Sequence, residues 1–437
     1  MKVSVIGCGY LGAVHAASMA ELGHDVIGVD VDQSRIDILS GGHAPFHEPN
    51  FEKLLQKNAA RLTFTTDISV TKDATVHFIA VGTPQSPNGS ADMTYVDSSI
   101  AALLPHIGEG HLVVGKSTVP VGTAQRLADI VAPSGAVLMW NPEFLREGFA
   151  VQDTLTPDRL VYGIPGGDAG EWARSTLDGV YAKILDTKVP RLLMNFATAE
   201  LVKVAANSFL ATKISFINAM AEIADVTGAD VTALADAIGY DTRIGRRFLN
   251  AGVGFGGGCL PKDIRGFVAR AHELGVGEAL DFLGDVDAIN LRRRARVTDM
   301  VREELGTLEG KTVAVWGMAF KPDSDDIRDS PALDIAESLA RAGATVVSAD
   351  PQAVEPATRR LAASGLGASL SLTDNHRHAA TGADAIVVAT EWKQFSEENP
   401  HDIAALVRGK VVIDGRNCLD SEAWKAAGFR YRGMGRS

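Results

Sequence analysis

An α/β chain built as two halves of one βαβ type around a helical middle is the fold the sequence predicts, on three observations. The first is the opening order: an apolar run at 3–6, the turn Gly7-Cys8-Gly9-Tyr10-Leu11-Gly12, a helical stretch at 13–22, and a strand at 25–29 closing on Asp30. The second is its recurrence: a strand at 312–316, Gly317-Met318-Ala319, a helix at 331–342, and a strand at 345–348 closing on Ala349-Asp350. Glu21-Leu22-Gly23-His24-Asp25 and the residues up to Asp30 lie beside Arg341-Ala342-Gly343-Ala344-Thr345 up to Asp350 with the same helix-end, glycine, strand and acid pattern. The third is the stretch 196–226, rich in helix formers and free of Pro and Gly. Together these predict two Rossmann-like domains joined by a helical middle domain with a long central helix, with boundaries at 1–195, 196–300 and 301–437.

Bulk properties agree with this division. A chain of 437 residues has room for two or three domains. With 46% hydrophobic and 22% charged residues, disorder, collagen and coiled coil are excluded. The formal charge of −12 gives no general attraction to phosphate backbones or anionic lipid, so neither nucleic acid nor a membrane is an expected partner. Three cysteines, Cys8, Cys259 and Cys418, lack the paired spacing of a zinc site or disulfide framework, so no metal is expected and a reducing cytosol fits best. No apolar run reaches the roughly 18 residues of a membrane span. Met1-Lys2-Val3-Ser4-Val5-Ile6-Gly7 runs directly into a buried-strand pattern rather than a signal peptide, so a cytoplasmic protein is expected.

Each element then carries its own expectation. Strand, glycine turn, helix and an acid about 20 residues on are the parts of a dinucleotide site. Gly7 and Gly9 let backbone N–H groups approach a pyrophosphate at the positive end of a helix dipole. Asp30 would accept hydrogen bonds from the adenosine ribose and repel a 2′-phosphate, which favours NAD over NADP. Strands at 76–81 and 112–116 run into Gly82-Thr83-Pro84 and Ser117-Thr118-Val119-Pro120, placing small polar residues where ligands of open α/β sheets lie. Along 196–226 the apolar residues Leu201, Val204, Phe209, Leu210, Ile214, Phe216, Ile217 and Met220 fall on nearly every side, as in a helix buried in a core or a subunit interface, so a dimer is expected. The second half has lost the full glycine fingerprint and inserts residues 321–328 after its first strand, so it should bind something other than a second dinucleotide.

Chemistry concentrates at Gly252-Val253-Gly254-Phe255-Gly256-Gly257-Gly258-Cys259-Leu260-Pro261-Lys262-Asp263. So many glycines before one cysteine suggest a backbone that approaches a ligand closely. Pro261 suits the first turn of a helix, which puts Cys259 at a helix N-terminus with Lys262 nearby, where a thiol loses its proton readily. A buried, inert cysteine is the alternative. Lys203 and Asn207 share one helix face at i and i+4, either as a polar site lining or as a snorkelling lysine with its neighbour. Asn141-Pro142-Glu143-Phe144-Leu145-Arg146-Glu147-Gly148 adds two acids after a strand, and Arg292-Arg293-Arg294 reads as a solvated helix face. No HExxH, GxSxG or GxxxxGK[ST] occurs.

In this order the motifs are specific. With Gly7 to Gly12, Val81-Gly82-Thr83-Pro84, the runs 117–123 and 141–148, Ala205-Ala206-Asn207 through Asn218, the loop 254–263, the run 320–331, Thr390-Glu391-Trp392 and Asp414-Gly415-Arg416-Asn417, the chain resembles the nucleotide-sugar dehydrogenases, the UDP-glucose/GDP-mannose dehydrogenase family, over essentially its whole length. The match is nearest to the branch acting on UDP-glucose, with GDP-mannose and UDP-N-acetylmannosamine as alternative substrates. A single-hydride hydroxyacid-type dehydrogenase has no use for Cys259 or the second half. A non-catalytic sensor should have lost Cys259, Lys203 and Asp263. The resemblance implies NAD-dependent four-electron oxidation of a C6 alcohol to an acid that serves polysaccharide synthesis. It implies a Cys259 nucleophile with Lys203, Asn207 and Asp263 around it, and Thr118, Glu143 and Glu147 positioning or activating water. NAD would meet Gly7, Gly9, Leu11, Gly12, Asp30, Arg35, Thr83, Thr118, Glu147, Lys262 and Arg328. The UDP-sugar would be held by Phe144, Leu145, Arg146, Glu147, Lys203, Asn207, the run from Asn250 through Gly252 to Gly256, Lys321 and Arg416. Arg243 would reach a neighbouring subunit's substrate in a homodimer. Two positions depart from the family's usual pattern: Gly258 replaces serine before the cysteine, and Val204 replaces tyrosine after the lysine.

Overall fold

The computed structural model describes residues 1–436. The chain forms two compact units, Met1–Ala206 with Arg265–Gly277, and Asn207–Ile264 with the chain from Glu278 onward. The first unit holds strands β1 (Lys2–Ile6), β2 (Asp25–Val29), β3 (Leu62–Thr65), β4 (Val76–Ile79), β5 (Leu112–Gly115), β6 (Val137–Trp140), β7 (Leu160–Gly163) and β8 (Arg191–Met194). They make one sheet in the order β3-β2-β1-β4-β5-β6-β7-β8. Neighbours are parallel except at β6–β7, where a single register pair, Trp140 with Gly163, reverses direction. Every residue of β4 and β5 is buried, as strands covered by helices on both faces must be. Both strands stop short of the expected ends, so Ala80 to Thr83 and Lys116 to Thr118 leave the sheet as loops at its carboxyl edge.

The second unit repeats the plan. Strands β9 (Thr312–Trp316), β10 (Thr345–Ala349), β11 (Leu370–Thr373), β12 (Ala385–Val388), β13 (Val411–Asp414) and β14 (Arg430–Gly433) form an all-parallel sheet ordered β11-β10-β9-β12-β13-β14. This is the same 3-2-1-4-5-6 order as the first six strands, and in both the reversal point lies beside the first strand of the half. The duplicated pattern read between residues 21–30 and 341–350 is therefore a duplicated topology.

Two expectations about helices change. The long helix is Phe196–Thr227, and it is not buried on all sides of this chain. Val204, Ala211, Ile217, Ala221 and Ala224 face inward, whereas Leu201, Phe209, Phe216, Ile223 and Val226 are exposed. Phe209, Phe216 and Ile223 recur every seven residues, so they make one apolar stripe along the helix. The arginine run is not a solvated face either. In the helix Phe282–Leu305 the phase turns Arg292 outward but buries Arg293 and Arg294 together with Asn290, at i, i+3 and i+4 on one side. No helix among the described residues is long and apolar enough to cross a membrane.

Candidate active site

In the first unit the turn after β1 has the shape a dinucleotide needs. Gly7 takes φ +91°, and a Cβ on Gly12 would lie 1.7 Å from Gly7 O, so only glycines let the helix Tyr10–Glu21 sit this close to the strand. That helix starts after Gly9 without a side-chain cap, and a Cβ on Gly9 would meet nothing within 4 Å. Its first N–H groups thus open onto free space at the positive end of a dipole, which fits a pyrophosphate. At the end of β2, Asp30 Oδ2 accepts from Cys8 N–H at 2.7 Å and from Arg35 at 2.9 Å, while Oδ1 accepts from Asp32 N–H at 3.0 Å. On the β4 side of the reversal point Thr83 Oγ donates to Thr118 O at 2.8 Å, tying together the loops that follow β4 and β5.

The 141–148 segment is held from several directions. Glu143 Oε1 accepts the N–H groups of Phe144 and Leu145, each at 2.6 Å. Arg146 is turned outward to a paired contact with Asp153 rather than into the loop. Phe144 lies under two cations, with Arg159 at 4.1 Å and the buried Lys203 at 5.4 Å from the ring centre. Glu147 is buried, and Glu48, which the sequence did not single out, fixes the turn beyond it. Glu48 accepts from Gly148 N–H at 2.7 Å, from Ala150 N–H at 2.8 Å and from the Tyr10 hydroxyl. Burial, helped by Glu48, pushes the Tyr10 phenol well above its usual range, so it acts here as a neutral donor.

In the second unit, Cys259 is exposed and immediately precedes the helix Leu260–Glu273, where its carbonyl accepts the first helical bond from Asp263 N–H at 2.9 Å. The buried Asp263 carboxylate accepts from Asn207 Nδ2 and from Lys262 Nζ, both at 2.6 Å. Two of the groups expected around the nucleophile, Asn207 and Asp263, are thus linked directly, and Lys262, expected at NAD, joins them. The other two cysteines are unsuited to the role: burial, followed by Asp30 for Cys8 and Asp414 for Cys418, pushes both thiols far up.

The glycines before Cys259 have a reason the sequence did not give. They face protein rather than open space: a Cβ would lie 2.4 Å from Asn290 Oδ1 at Gly254, 2.2 Å from Asp329 O at Gly256, 2.7 Å from the Phe320 ring at Gly257 and 2.3 Å from Arg328 Cζ at Gly258. Buried side chains then clamp the loop. Asn218 Oδ1 accepts from Gly252 N–H at 2.8 Å, and Asn290 pairs with both N–H and C=O of Phe255 at 2.7 and 2.9 Å. Arg294 donates to Phe255 O at 3.0 Å and to Asp329 at 2.7 Å, and also pairs with Asp334. Arg293 Nε approaches Gly252 O at 3.4 Å, with Glu222 3.8 Å from its Nη1, and burial lowers the affinity of its guanidinium for the proton. Sequence reasoning missed Asn290 and the role of Asn218, and its solvated face for Arg293 and Arg294 is corrected here, since both are buried against this loop.

Arg416 joins the remaining candidates. It donates to Gly254 O at 3.0 Å, Phe320 O at 3.1 Å and Ala389 O at 2.8 Å, and pairs with Glu391 at 3.1 Å. The loop 250–256, the segment at Phe320-Lys321 and Arg416 are therefore one assembly, in which Lys321 Nζ lies 5.3 Å from the Phe320 ring centre and Asn250 Oδ1 accepts from Arg246 at 2.8 Å. Arg243 stays apart, its side chain 88% exposed and paired with Asp241. The second half has also closed its counterpart of the dinucleotide site. Asp350, the equivalent of Asp30, is fully buried, with Oδ2 taken by Met318 N–H, Ala319 N–H and Trp392 Nε1 and Oδ1 by Gln352 and Ala353 N–H. No ribose hydroxyl can reach it.

Comparisons with known proteins match three stretches of the chain. Residues 1–185 match the NAD binding domain of the UDP-glucose/GDP-mannose dehydrogenase family, 197–292 its central domain and 314–421 its UDP binding domain. A UDP-glucose 6-dehydrogenase of Pseudomonas aeruginosa is 41% identical, with 100% of this chain and 98% of the relative covered. One from Bacillus subtilis is 39% identical, with 100% and 93% covered. The structure of a UDP-glucose dehydrogenase from Pyrobaculum islandicum superposes with a TM-score of 0.89 at 38% identity, covering 100% of this chain and 98% of that one. With these three models covering most of its length and a relative aligned to all of it, the chain belongs to the UDP-glucose/GDP-mannose dehydrogenase family.

Proposed function

We propose that this protein oxidises UDP-glucose to UDP-glucuronate with NAD, through a covalent adduct on Cys259. The observation that carries the reading is an exposed cysteine at a helix N-terminus, behind a clamped loop and beside a bonded Asp263–Asn207 pair, in a chain similar over its full length to UDP-glucose 6-dehydrogenases. NAD, when bound, accepts a hydride from C6 in each of two oxidations. The chain does the rest. Lys203, Asp263 or an ordered water takes the hydroxyl proton as the alcohol becomes an aldehyde. Cys259 Sγ bonds to the aldehyde carbon, and Lys203 and Asn207 stabilise the oxyanion of the thiohemiacetal. After the second oxidation a thioester remains, and water positioned by Thr118, Glu143 and Glu147 cleaves its C–S bond to return the thiolate. The sum is one alcohol and one water to one carboxylate, two hydrides and three protons.

Residues 1–195 would be the NAD domain, 196–300 the middle domain and 301–437 the UDP-sugar domain of a cytoplasmic enzyme. Leu11, Asp30 and Arg35 would line the NAD site with Gly7, Gly9 and Gly12, and Lys321 and Arg416 would hold the UDP-sugar. A measurement of stoichiometry tests the chemistry. At limiting UDP-glucose each sugar should give two NADH and one UDP-glucuronate, with GDP-mannose and UDP-N-acetylmannosamine turned over far less. One NADH per sugar, or free aldehyde as the main product, would refute the double oxidation.

The exposed stripe of Phe209, Phe216 and Ile223 supports a homodimer through the long helix, which would also give Arg243 its partner site. Sedimentation should find the wild type dimeric and Phe209→Asp/Phe216→Asp monomeric, since a carboxylate in an apolar interface costs several kcal/mol. A monomeric wild type would refute it.

A further inference from the structure

A buried lysine that the proposed chemistry does not use stands directly behind one of its carboxylates. Lys116, the first residue after β5, is 4% exposed. Its Nζ donates to Asn141 Oδ1 at 3.0 Å and to the Tyr181 hydroxyl at 3.4 Å, and lies 3.5 Å from Glu143 Oε2. Asn141 is itself pinned, accepting from the Tyr181 hydroxyl at 2.9 Å and donating to Val161 O at 2.9 Å. The ammonium is therefore fixed from below by an uncharged scaffold. Burial pushes its proton affinity down and Glu143 opposes that. The titratable groups packed around it are neutral: burial holds the His15 imidazole well below its usual range, with Lys116 adding to this, and burial holds the Tyr181 phenol well above its own, with Glu143 adding to that. Glu143 is the charge that answers Lys116.

We infer that Lys116 is a positioning residue for Glu143: the ammonium fixes Oε2 while the N–H groups of Phe144 and Leu145 fix Oε1, so that the carboxylate and the 143–145 turn have one orientation. This rests on the reading of Glu143 as a carboxylate that positions the water for thioester cleavage. Without the ammonium, Oε2 faces a buried amide and phenol, and the carboxylate can rotate away. An unpaired charge near a buried scaffold is costly enough to drive that rotation.

The test is a double-variant cycle on the full enzyme, Lys116→Met and Glu143→Gln alone and together. Expected for Lys116→Met is a kcat lowered about 100-fold with KM for UDP-glucose and NAD within about threefold, and accumulation of the thioester adduct on Cys259 by intact mass. The double variant should be no slower than Glu143→Gln alone, because the lysine acts through that carboxylate. Losses that multiply in the double variant, an unchanged kcat, or a slow enzyme with no adduct would overturn the inference. If Lys116→Met shows no cooperative thermal transition, Lys116→Gln, which keeps a hydrogen-bonding head, carries the same cycle and the same criteria. Wild-type stoichiometry is run beside it. A wild type that does not yield two NADH per UDP-glucose fails the reading of function, whereas a normal wild type with multiplying losses fails this inference alone.

Discussion

Cys259→Ser should lose acid formation by about 1,000-fold or more, while NAD and UDP-glucose bind with little change in affinity. The substitution keeps the size of the side chain, and because Cys259 is exposed it leaves no cavity. What changes is the nucleophile. A thiol is partly ionised near neutral pH and a serine hydroxyl is not, so the aldehyde gains no covalent hold and the second oxidation has no thiohemiacetal to act on. Titration calorimetry with each ligand and product analysis by mass separate binding from chemistry. Normal UDP-glucuronate production by the serine variant would remove Cys259 from the mechanism.

The second large effect is on stability, and it comes from a residue with no part in bond making. Arg294→Met should lower stability by about 3 kcal/mol and the melting temperature by roughly 10 °C. The guanidinium joins Phe255 O, Asp329 and Asp334, and methionine would fill much of its volume while leaving those acceptors uncompensated. Asp334 keeps Arg360 at 3.7 Å, and both acids retain some access to water, which holds the loss below that of a wholly buried triad. Arg294→Lys should fall between, since an ammonium can keep one partner but not a fork of three. Calorimetric melts read this directly, and a shift under about 2 °C for Arg294→Met would mean that the clamp contributes little.

The division between what could be read from the chain and what could not follows from the range of the forces involved. The turn at Gly7 to Gly12 and the acid at Asp30 are dictated by local backbone geometry, so they are visible within 30 residues. The long helix was visible too, because 32 residues without Pro or Gly have few other conformations. Arg293 and Arg294 were misread since a run of three like charges carries no phase. Only the position of Asn290 one turn earlier, and a loop of carbonyls with no periodicity of its own, shows which side faces inward. Glu48 and Lys116 belong to no motif. Glu48 meets Gly148 across 100 residues and Lys116 meets Tyr181 across 65, so single polar residues of this kind become meaningful only when the chain is folded.

The crowding of the loop before Cys259 also limits how this enzyme can diversify. At Gly252, Gly254, Gly256 and Gly257 backbone or packed side chains stand where a methyl group would go, so substitution at these four glycines is closed regardless of the polarity of the newcomer. Gly258 differs, because what stands over it is the far end of Arg328, a side chain 61% exposed and able to swing aside. Among these glycines variation can therefore enter at Gly258, the position where this chain departs from the family's usual serine, while room at the others has to come from what packs on them, including the side chains at Phe320, Arg328 and Arg416. A library built on this scaffold to accept a different sugar would waste members at the four closed glycines and should be spent on those three side chains instead.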